Sequence, residues 1–236
     1  MAGLLVSVRS VTEARVALAG GAVIIDVKEP ASGSLGRASE ETITQVIRYA
    51  SKYVPVSAAF GELLDFRQPF PPAGLTYAKW GLAGCRRRPD WQQELLQIRS
   101  RIEALCSCRL VSVAYADAVR ADAPCVDEVR AFVCRHRLAV LLVDTWLKDG
   151  TTLLDWMPME KVSNLCRRCR AGGIRVALAG SLGLREIEQL QEAEPAWFAV
   201  RGAACRGNSR SSSIDREAVQ RLVECVTARV TTSAEN

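Results

Sequence analysis

The sequence predicts a single-domain α/β protein that folds as a closed (β/α)8 barrel. Eight short apolar runs rich in Val, Ile, Leu and Ala alternate with segments of helical spacing. Nearly continuous runs of this kind are typical of parallel strands that are covered on both faces. The length of 236 residues also suits one barrel, which commonly has about 200–250 residues. An open doubly wound sheet is the alternative, but the count of eight runs and the absence of GxGxxG and GxxxxGK[ST] motifs favour the barrel.

The elements follow one another in a regular order along the chain. The predicted strands are Leu4–Val8, Ala22–Val27, Pro55–Phe60, Leu75–Trp80, Leu110–Tyr115, Leu138–Val143, Arg175–Ala179 and Trp197–Val200. The predicted helices are Ser10–Ala19, Ser39–Lys52, Asp90–Leu105, Asp122–Arg135, Pro158–Ala171, Leu184–Glu192 and Asp215–Val230. Thr12 is the predicted cap of the first helix. We therefore assign residues 1–230 to the barrel and predict a disordered tail over residues 231–236.

Composition excludes several classes of protein. Hydrophobic residues make up 49% and charged residues 24% of the chain, which is typical of a globular core and not of a disordered or fibrous protein. The net charge of +5 is too small to indicate nucleic-acid binding, but it suits small anionic substrates. No apolar stretch is long enough to span a bilayer. Because the nine cysteines are odd in number and no signal peptide is evident, we expect a cytoplasmic protein. A homo-oligomer is compatible with the sequence.

Histidine and cysteine limit the chemistry that is available. His136 is the only histidine, so a Ser-His-Asp triad or a multi-histidine metal site is excluded. Two close cysteine pairs, Cys106 with Cys108 and Cys166 with Cys169, raise the alternative of a zinc site. Arginines surround the second pair and oppose cation binding. We therefore predict free cysteines and no metal site.

Charged residues at the end of the second predicted strand are the first candidates for catalysis. Alternation along a strand places Asp26 and Lys28 on one face and Ile25 and Val27 on the other. If the apolar pair packs on helices, the charged pair faces the barrel interior. A buried lysine has a lowered pKa, so its amine can attack a carbonyl group as a Schiff-base nucleophile. The alternative is a buried structural ion pair.

The same arrangement recurs at two further strand ends. Lys79 is the last residue but one of the fourth run, while Asp144 and Lys148 follow the sixth. Since reactive groups of a barrel lie at the C-terminal ends of its strands, these side chains should meet Asp26 and Lys28 on one rim. Each lysine taken alone is more often a solvated loop residue. Their shared position favours a carbonyl-activating site for phosphorylated substrates.

Small residues after the last two strands predict a phosphate site. Loops after strands seven and eight of a barrel commonly hold a phosphate with backbone N–H groups. The predicted phosphate-binding residues are Gly180, Ser181, Gly202 and Ala203, with Arg201 as the charge partner. Residues 31–36 either cover a second anionic group or form a plain connection. The run Arg86–Arg88 is assigned to a solvated turn.

Six segments together resemble one known family. They are LLVS from Leu4, IIDVKEPASGSLG from Ile24, PVSA from Pro55, KWGLAG from Lys79, Asp144 with Lys148, and VRGAAC from Val200. They extend over almost the whole chain and resemble the (5-formylfuran-3-yl)methyl phosphate synthase family. One departure is Trp80, which stands where a smaller aliphatic residue is expected.

The resemblance implies a class I aldolase-like TIM barrel that acts in methanofuran biosynthesis. Such an enzyme condenses two molecules of glyceraldehyde 3-phosphate into a furan aldehyde phosphate and releases phosphate and water. By the same resemblance, Lys28 is the Schiff-base lysine and Lys79 the proton acceptor, with Asp26, Asp144 and Lys148 supporting proton transfer. Because the imine is itself an electron sink, we predict no metal and no organic cofactor.

Two other functions remain compatible with the residues. One is a different class I sugar-phosphate aldolase or isomerase, which would share the lysine and the phosphate loops. The other is a non-catalytic barrel that only binds phosphate, since one fold can host many functions. The full set of lysines and aspartates argues against the second. Formation of a furan product distinguishes the first.

Overall fold

Eight parallel strands close into a barrel that is surrounded by helices. The computed structural model describes residues 1–65 and 71–228. Every strand pairs in parallel with the next strand along the chain, and the last pairs with the first. The predicted (β/α)8 barrel is confirmed, and all eight predicted strands are present.

The bounds of the elements follow the predictions with small shifts. The strands are β1 (Gly3–Val8), β2 (Ile24–Val27), β3 (Val56–Glu62), β4 (Tyr77–Gly81), β5 (Arg109–Tyr115), β6 (Val140–Asp144), β7 (Arg175–Leu178) and β8 (Trp197–Val200). The helices in the described residues are α1 (Val11–Ala19), α2 (Glu40–Ala50), α3 (Trp91–Leu105), α4 (Val126–Arg135), α5 (Leu153–Trp156), α6 (Met159–Ala171), α7 (Leu184–Leu190) and α8 (Arg216–Thr227). The predicted tail at residues 231–236 lies outside the described residues.

Three details of the helices differ from the predictions. The cap of α1 is Ser10 and not Thr12, because Ser10 has the extended backbone of a cap and its side chain accepts from the Glu13 amide at 3.2 Å. Helix α4 begins at Val126 and not at Asp122, whose φ of 46° is left-handed. The short α5 was not predicted, because four residues are too few to show helical periodicity.

Side chains of each strand alternate between two apolar layers. Ile25 and Val27 face outward and join the main core between strands and helices, whereas Asp26 and Lys28 face the barrel interior. The interior has its own smaller apolar cluster below the charged groups. Trp80 also faces outward, where it stacks on Phe60 with ring centroids 5.0 Å apart. The bulk of this residue is therefore accommodated on the face opposite to Lys79.

The cysteines are free thiols that mostly pack in the core. None of the nine forms a disulfide. Cys166 and Cys169 are buried in α6, and burial raises the pKa of each thiol to about 12. Among the described residues, no group of three His, Cys, Asp or Glu side chains is arranged to hold a metal ion. Across the same part of the chain, every helix is too short or too polar to cross a membrane.

Candidate active site

A cavity of about 610 Å³ opens at the C-terminal end of the barrel. The strand-end side chains singled out in the sequence all line it: Asp26, Lys28, Lys79, Asp144 and Lys148. The predicted phosphate-binding residues Gly180, Ser181, Arg201, Gly202 and Ala203 line the same cavity. The structure therefore brings both predicted sets together in one place.

Lys28 is the most strongly perturbed amine of the site. It follows the last residue of β2 and is 8% exposed. Its Nζ donates to the Ser34 backbone oxygen over 3.4 Å, which is a long contact. Burial lowers the pKa of Lys28 from 10.5 to about 8, and the ammonium groups of Lys148 and Lys79 oppose its charge further. A substantial fraction of this amine is thus neutral near physiological pH.

Lys79 on β4 and Asp26 on β2 form a buried ion pair over the intervening β3. The Lys79 Nζ lies 2.5 Å from Asp26 Oδ1, and both side chains are almost inaccessible to solvent. Ser7 on β1 donates its hydroxyl hydrogen bond to the other carboxylate oxygen at 2.9 Å. The Asp26 carboxylate balances the positive charge of Lys79, and the Lys79 ammonium lies near Lys28.

Lys148 and Asp144 form a second ion pair at the end of β6. Lys148 Nζ lies 2.6 Å from Asp144 Oδ1 and 3.0 Å from the Thr145 hydroxyl. Burial alone would raise the pKa of Asp144, but the ammonium groups of Lys148 and Lys28 hold this pKa below its ordinary value. Ser34 approaches the other Asp144 oxygen at 3.1 Å, so the loop after β2 is fastened to β6.

The loop after β7 supplies free backbone donors to the cavity. Gly180 has a φ of +102°, and a Cβ at this position would approach the Leu153 backbone nitrogen to 3.3 Å. Within the described residues, the amides of Ser181 and Leu182 donate to no protein acceptor. The Gly183 amide is already bound by Glu186 at 2.8 Å. An anion at this position would therefore meet Ser181 and Leu182.

Arg201 lines the cavity, but its guanidinium is committed elsewhere. It pairs with the buried carboxylate of Glu13 and also donates to the backbone oxygens of Ser7, Arg210 and Ser212. These bonds occupy all five of its N–H donors. The phosphate contact predicted for Arg201 thus finds no free donor in the described structure. What Arg201 visibly does is hold the loop after β8 in place.

Several groups at the site were not identified from the sequence. Ser34 is one, because its contact with Asp144 joins loops 110 residues apart. Arg210 is another: it lines the cavity from the loop between β8 and α8. Arg210 lies at no strand end and in no recognised motif, whereas Ser34 lies in the loop of residues 31–36, where nothing local predicts its contact with β6.

Glu62 and Tyr115 form a third unpredicted feature at the same barrel end. The Tyr115 hydroxyl donates to Glu62 Oε1 at 2.6 Å, and the Ala83 amide donates to Oε2 at 2.8 Å. Burial raises the pKa of both groups. Gly81 lies between them, and a Cβ there would come within 2.1 Å of Glu62. The pair therefore requires a glycine at the end of β4.

Comparison with known proteins identifies the family. A model of the 4-HFC-P synthase family matches residues 4–223. A (5-formylfuran-3-yl)methyl phosphate synthase of Archaeoglobus fulgidus is 34% identical over 94% of this chain and 98% of its own length. The enzyme of that name from Methanothermobacter thermautotrophicus is 33% identical, with 94% and 97% covered. In fold, the chain is similar to thiamine phosphate pyrophosphorylase from Pyrococcus furiosus, with a TM-score of 0.61, 12% identity and 94% of each chain covered. From its matching sequence and its site, the chain belongs to the 4-HFC-P synthase family.

Proposed function

We propose that this enzyme condenses two molecules of glyceraldehyde 3-phosphate into (5-formylfuran-3-yl)methyl phosphate through an imine on Lys28. Atom balance requires the loss of one phosphate and two water molecules. The observation that carries the proposal is the meeting of a buried, weakly basic lysine with two lysine–carboxylate pairs in one cavity. The names of the relatives supply the product.

Lys28 is suited to the role of nucleophile. Its pKa of about 8 leaves part of the amine neutral, and only the neutral amine can attack an aldehyde carbon. Attack forms the C–N bond, and proton transfer from nitrogen to oxygen gives a carbinolamine. A further proton from a neighbouring acid lets its hydroxyl leave as water, which gives the protonated imine. The imine withdraws electrons from the adjacent carbon, so a proton can leave that carbon and a new C–C bond can form there.

The two ion pairs are suited to proton transfer beside Lys28. Lys79 is held by Asp26 and Lys148 by Asp144, each with a contact of 2.6 Å or less. Within such a pair a proton can move between amine and carboxylate as charge develops on the substrate. We assign Lys79 as the proton acceptor, and Asp26, Asp144 and Lys148 as supporting groups. Elimination of water and phosphate requires this kind of acid and base assistance.

The loops after β7 and β8 are suited to hold a substrate phosphate. Gly180, Ser181, Gly202 and Ala203 line the cavity together, and backbone N–H groups bind phosphate well at such positions. A phosphate held there fixes the distance between the substrate carbonyl and Lys28. We therefore expect a strong coupling between phosphate binding and rate.

The product test is incubation of the purified protein with glyceraldehyde 3-phosphate, followed by mass and ultraviolet spectra. We expect release of inorganic phosphate together with a conjugated furan aldehyde. A product without ultraviolet absorbance would favour another sugar-phosphate aldolase or isomerase. Binding without any product would favour a phosphate-binding barrel and would contradict the proposal.

The imine test is reduction with borohydride in the presence of substrate. We expect added mass on the peptide that contains Lys28. The matched control is Lys52→Arg, which alters an exposed lysine just after α2 and should leave the labelling unchanged. Labelling of Lys79 or Lys148 with an unmodified Lys28 would overturn the assignment.

We further infer a cytoplasmic enzyme of methanofuran biosynthesis whose partner is its small phosphorylated substrate. The nine free cysteines support a reducing compartment. The modest net charge of +5 supports an anionic metabolite as ligand in preference to nucleic acid. Addition of a chelator should leave turnover unchanged, because the imine is the electron sink.

A further inference from the structure

Arg210 is a cation of the cavity that lacks a carboxylate partner among the described residues. Its guanidinium makes one hydrogen bond, to the Gly33 backbone oxygen at 3.3 Å. The side chain lies between the loop after β8, which carries it, and the loop after β2, which covers Lys28. Burial lowers the pKa of Arg210, and the carboxylate of Asp144 is near enough to oppose this effect. The guanidinium thus belongs to the same cavity as the catalytic groups.

The backbone of the loop that carries Arg210 is held by hydrogen bonds from two arginine side chains. Arg201 donates to the backbone oxygens of Arg210 and Ser212, and Arg9 donates to those of Ser211 and Ser212. Both arginines share the carboxylate of Glu13. The backbone at Arg210 is therefore fixed by a buried ionic network, while most donors of its own side chain stay unused.

The other deep cations of the cavity are already neutralised. Lys79 is paired with Asp26 and Lys148 with Asp144, and Lys28 must lose its charge to react. Arg221, at the outer edge, is exposed and lies 4.0 Å from Glu217. Arg210 is thus the partly buried positive charge that an incoming anion can use.

We propose that Arg210 forms a second phosphate subsite between the loops after β8 and β2, separate from the backbone site of the loops after β7 and β8. A guanidinium binds a phosphate with two parallel hydrogen bonds, which a single carbonyl oxygen cannot match. On binding, the phosphate replaces the weak contact with Gly33. The first site holds one anion with neutral backbone donors, and the second holds another with a charged side chain.

The identity of the second anion as the phosphate of the second triose rests on the proposed function. Two trioses bring two phosphates, and one must be positioned to leave. A second site near the Asp144–Lys148 pair places that phosphate beside the Lys148 ammonium, which can protonate it as it leaves. Binding of an anion at Arg210, in contrast, depends only on the geometry of the cavity.

The experiment is a calorimetric titration of the purified protein with inorganic phosphate, without turnover. We expect two sites in the wild type. Arg210→Gln should weaken one of them by about tenfold or more, because a charge-assisted bond is lost, and Arg210→Lys should weaken it less. Glutamine can still donate to Gly33, so a purely structural role would leave phosphate binding unchanged in this variant. The matched control is Arg206→Ala, which removes an exposed arginine of the same loop.

Each of the following outcomes of the titration supports or overturns the proposed subsite. Loss of one site in Arg210→Gln, with partial recovery in Arg210→Lys and none lost in Arg206→Ala, supports the subsite. Two intact sites in Arg210→Gln, a single wild-type site that this variant leaves unchanged, or an equal loss in Arg206→Ala overturns it. Since no catalysis is needed, the titration can succeed even if the furan product is not formed. The product assay can likewise succeed if the subsite is absent.

Discussion

The two ends of the barrel interior are built from opposite kinds of contact. At the N-terminal end, Tyr77 and Trp197 meet edge to face, and Arg175 lies over both rings with its guanidinium donating to the Tyr77 hydroxyl at 3.0 Å. At the C-terminal end, three lysines and two aspartates surround an open cavity. The first end closes the barrel, and the second exposes the candidate catalytic groups.

This difference shows how one barrel separates stability from chemistry. Aromatic contacts at the closed end stabilise the fold without requiring buried charge. At the open end, burial of Lys28 costs free energy, because the fold favours its neutral form. The free-energy cost of burying this amine is thus confined to the C-terminal end of the barrel. Substitutions at the two ends should therefore separate activity from stability.

The largest effect is expected from Lys28. Lys28→Arg keeps a positive charge, but a guanidinium stays protonated and cannot form the imine. We expect kcat/KM to fall by roughly a thousandfold or more, with the fold retained. Steady-state rates with glyceraldehyde 3-phosphate and a circular dichroism spectrum check this. A variant that keeps a tenth of the wild-type rate would contradict covalent catalysis by Lys28.

Lys28→Met should abolish activity and stabilise the fold. Methionine has a similar length and carries no charge, so the cost of burying the amine disappears. We expect the free energy of unfolding at pH 7 to rise by about 1–3 kcal/mol. Urea denaturation measures this change. A lower stability of Lys28→Met would mean that the two ion pairs depend on the ammonium of Lys28.

The second largest effect is expected at the phosphate loops. In Gly202→Val, the added Cβ would lie 3.2 Å from the Asn208 backbone oxygen, so the loop after β8 that lines the proposed phosphate site would have to shift. Displacement of a substrate by on the order of 1 Å can cost about a hundredfold in rate. We therefore expect a strongly raised KM together with a reduced kcat. Gly180→Val should act similarly, because its positive φ also disfavours a side chain.

Arg87→Ala is the control for the phosphate loops. Arg87 is exposed in the turn after β4, away from the cavity lining. Its replacement should change KM little. If Gly202→Val folds normally with wild-type kinetics while Arg87→Ala loses substrate binding, the phosphate lies near the loop after β4 and the assignment made here is misplaced.

The open end of the barrel also shows which features the sequence alone can predict. Strand ends and the inward direction of Asp26 and Lys28 follow from local alternation, so these features were predictable. The pairing of Lys79 with Asp26 was not, because β3 separates their strands and only closure of the barrel sets the distance. The five donors of Arg201 and the free donors of Arg210 depend on the path of one irregular loop, which no periodicity describes.

A smaller effect is expected from pH. In the proposed mechanism only the neutral amine of Lys28 reacts, so imine formation should accelerate about tenfold per pH unit below its pKa and level off above about 8. Stopped-flow measurement of imine formation tests this. Stability should change in the same direction. The pKa of Lys28 in the folded protein lies below its ordinary value of 10.5. Between about pH 8 and 10.5 the unfolded chain therefore binds more protons than the folded protein, so the free energy of unfolding increases with pH in this range.

Lys28→Met supplies the control for the pH dependence of stability. Without the amine, the contribution to the slope between about pH 8 and 10.5 should vanish, while other titrating groups contribute as before. Urea denaturation of wild type and variant across this range gives the difference. Identical slopes for the two proteins would show that the pKa of Lys28 is the same folded and unfolded.

The smallest effect is expected at the closed end. Tyr77→Phe removes the hydroxyl that accepts from Arg175 and keeps the ring against Trp197. A lost hydrogen bond of this kind costs about 0.5–1.5 kcal/mol, and the loss here should be near the lower limit because Arg175 is exposed and can bind water instead. Thermal unfolding should show a slightly lower Tm, while kcat and KM stay unchanged. A change in kcat without a change in Tm would show that the closed end influences the chemistry, since Tyr77 precedes Lys79 by two residues on the same face of β4.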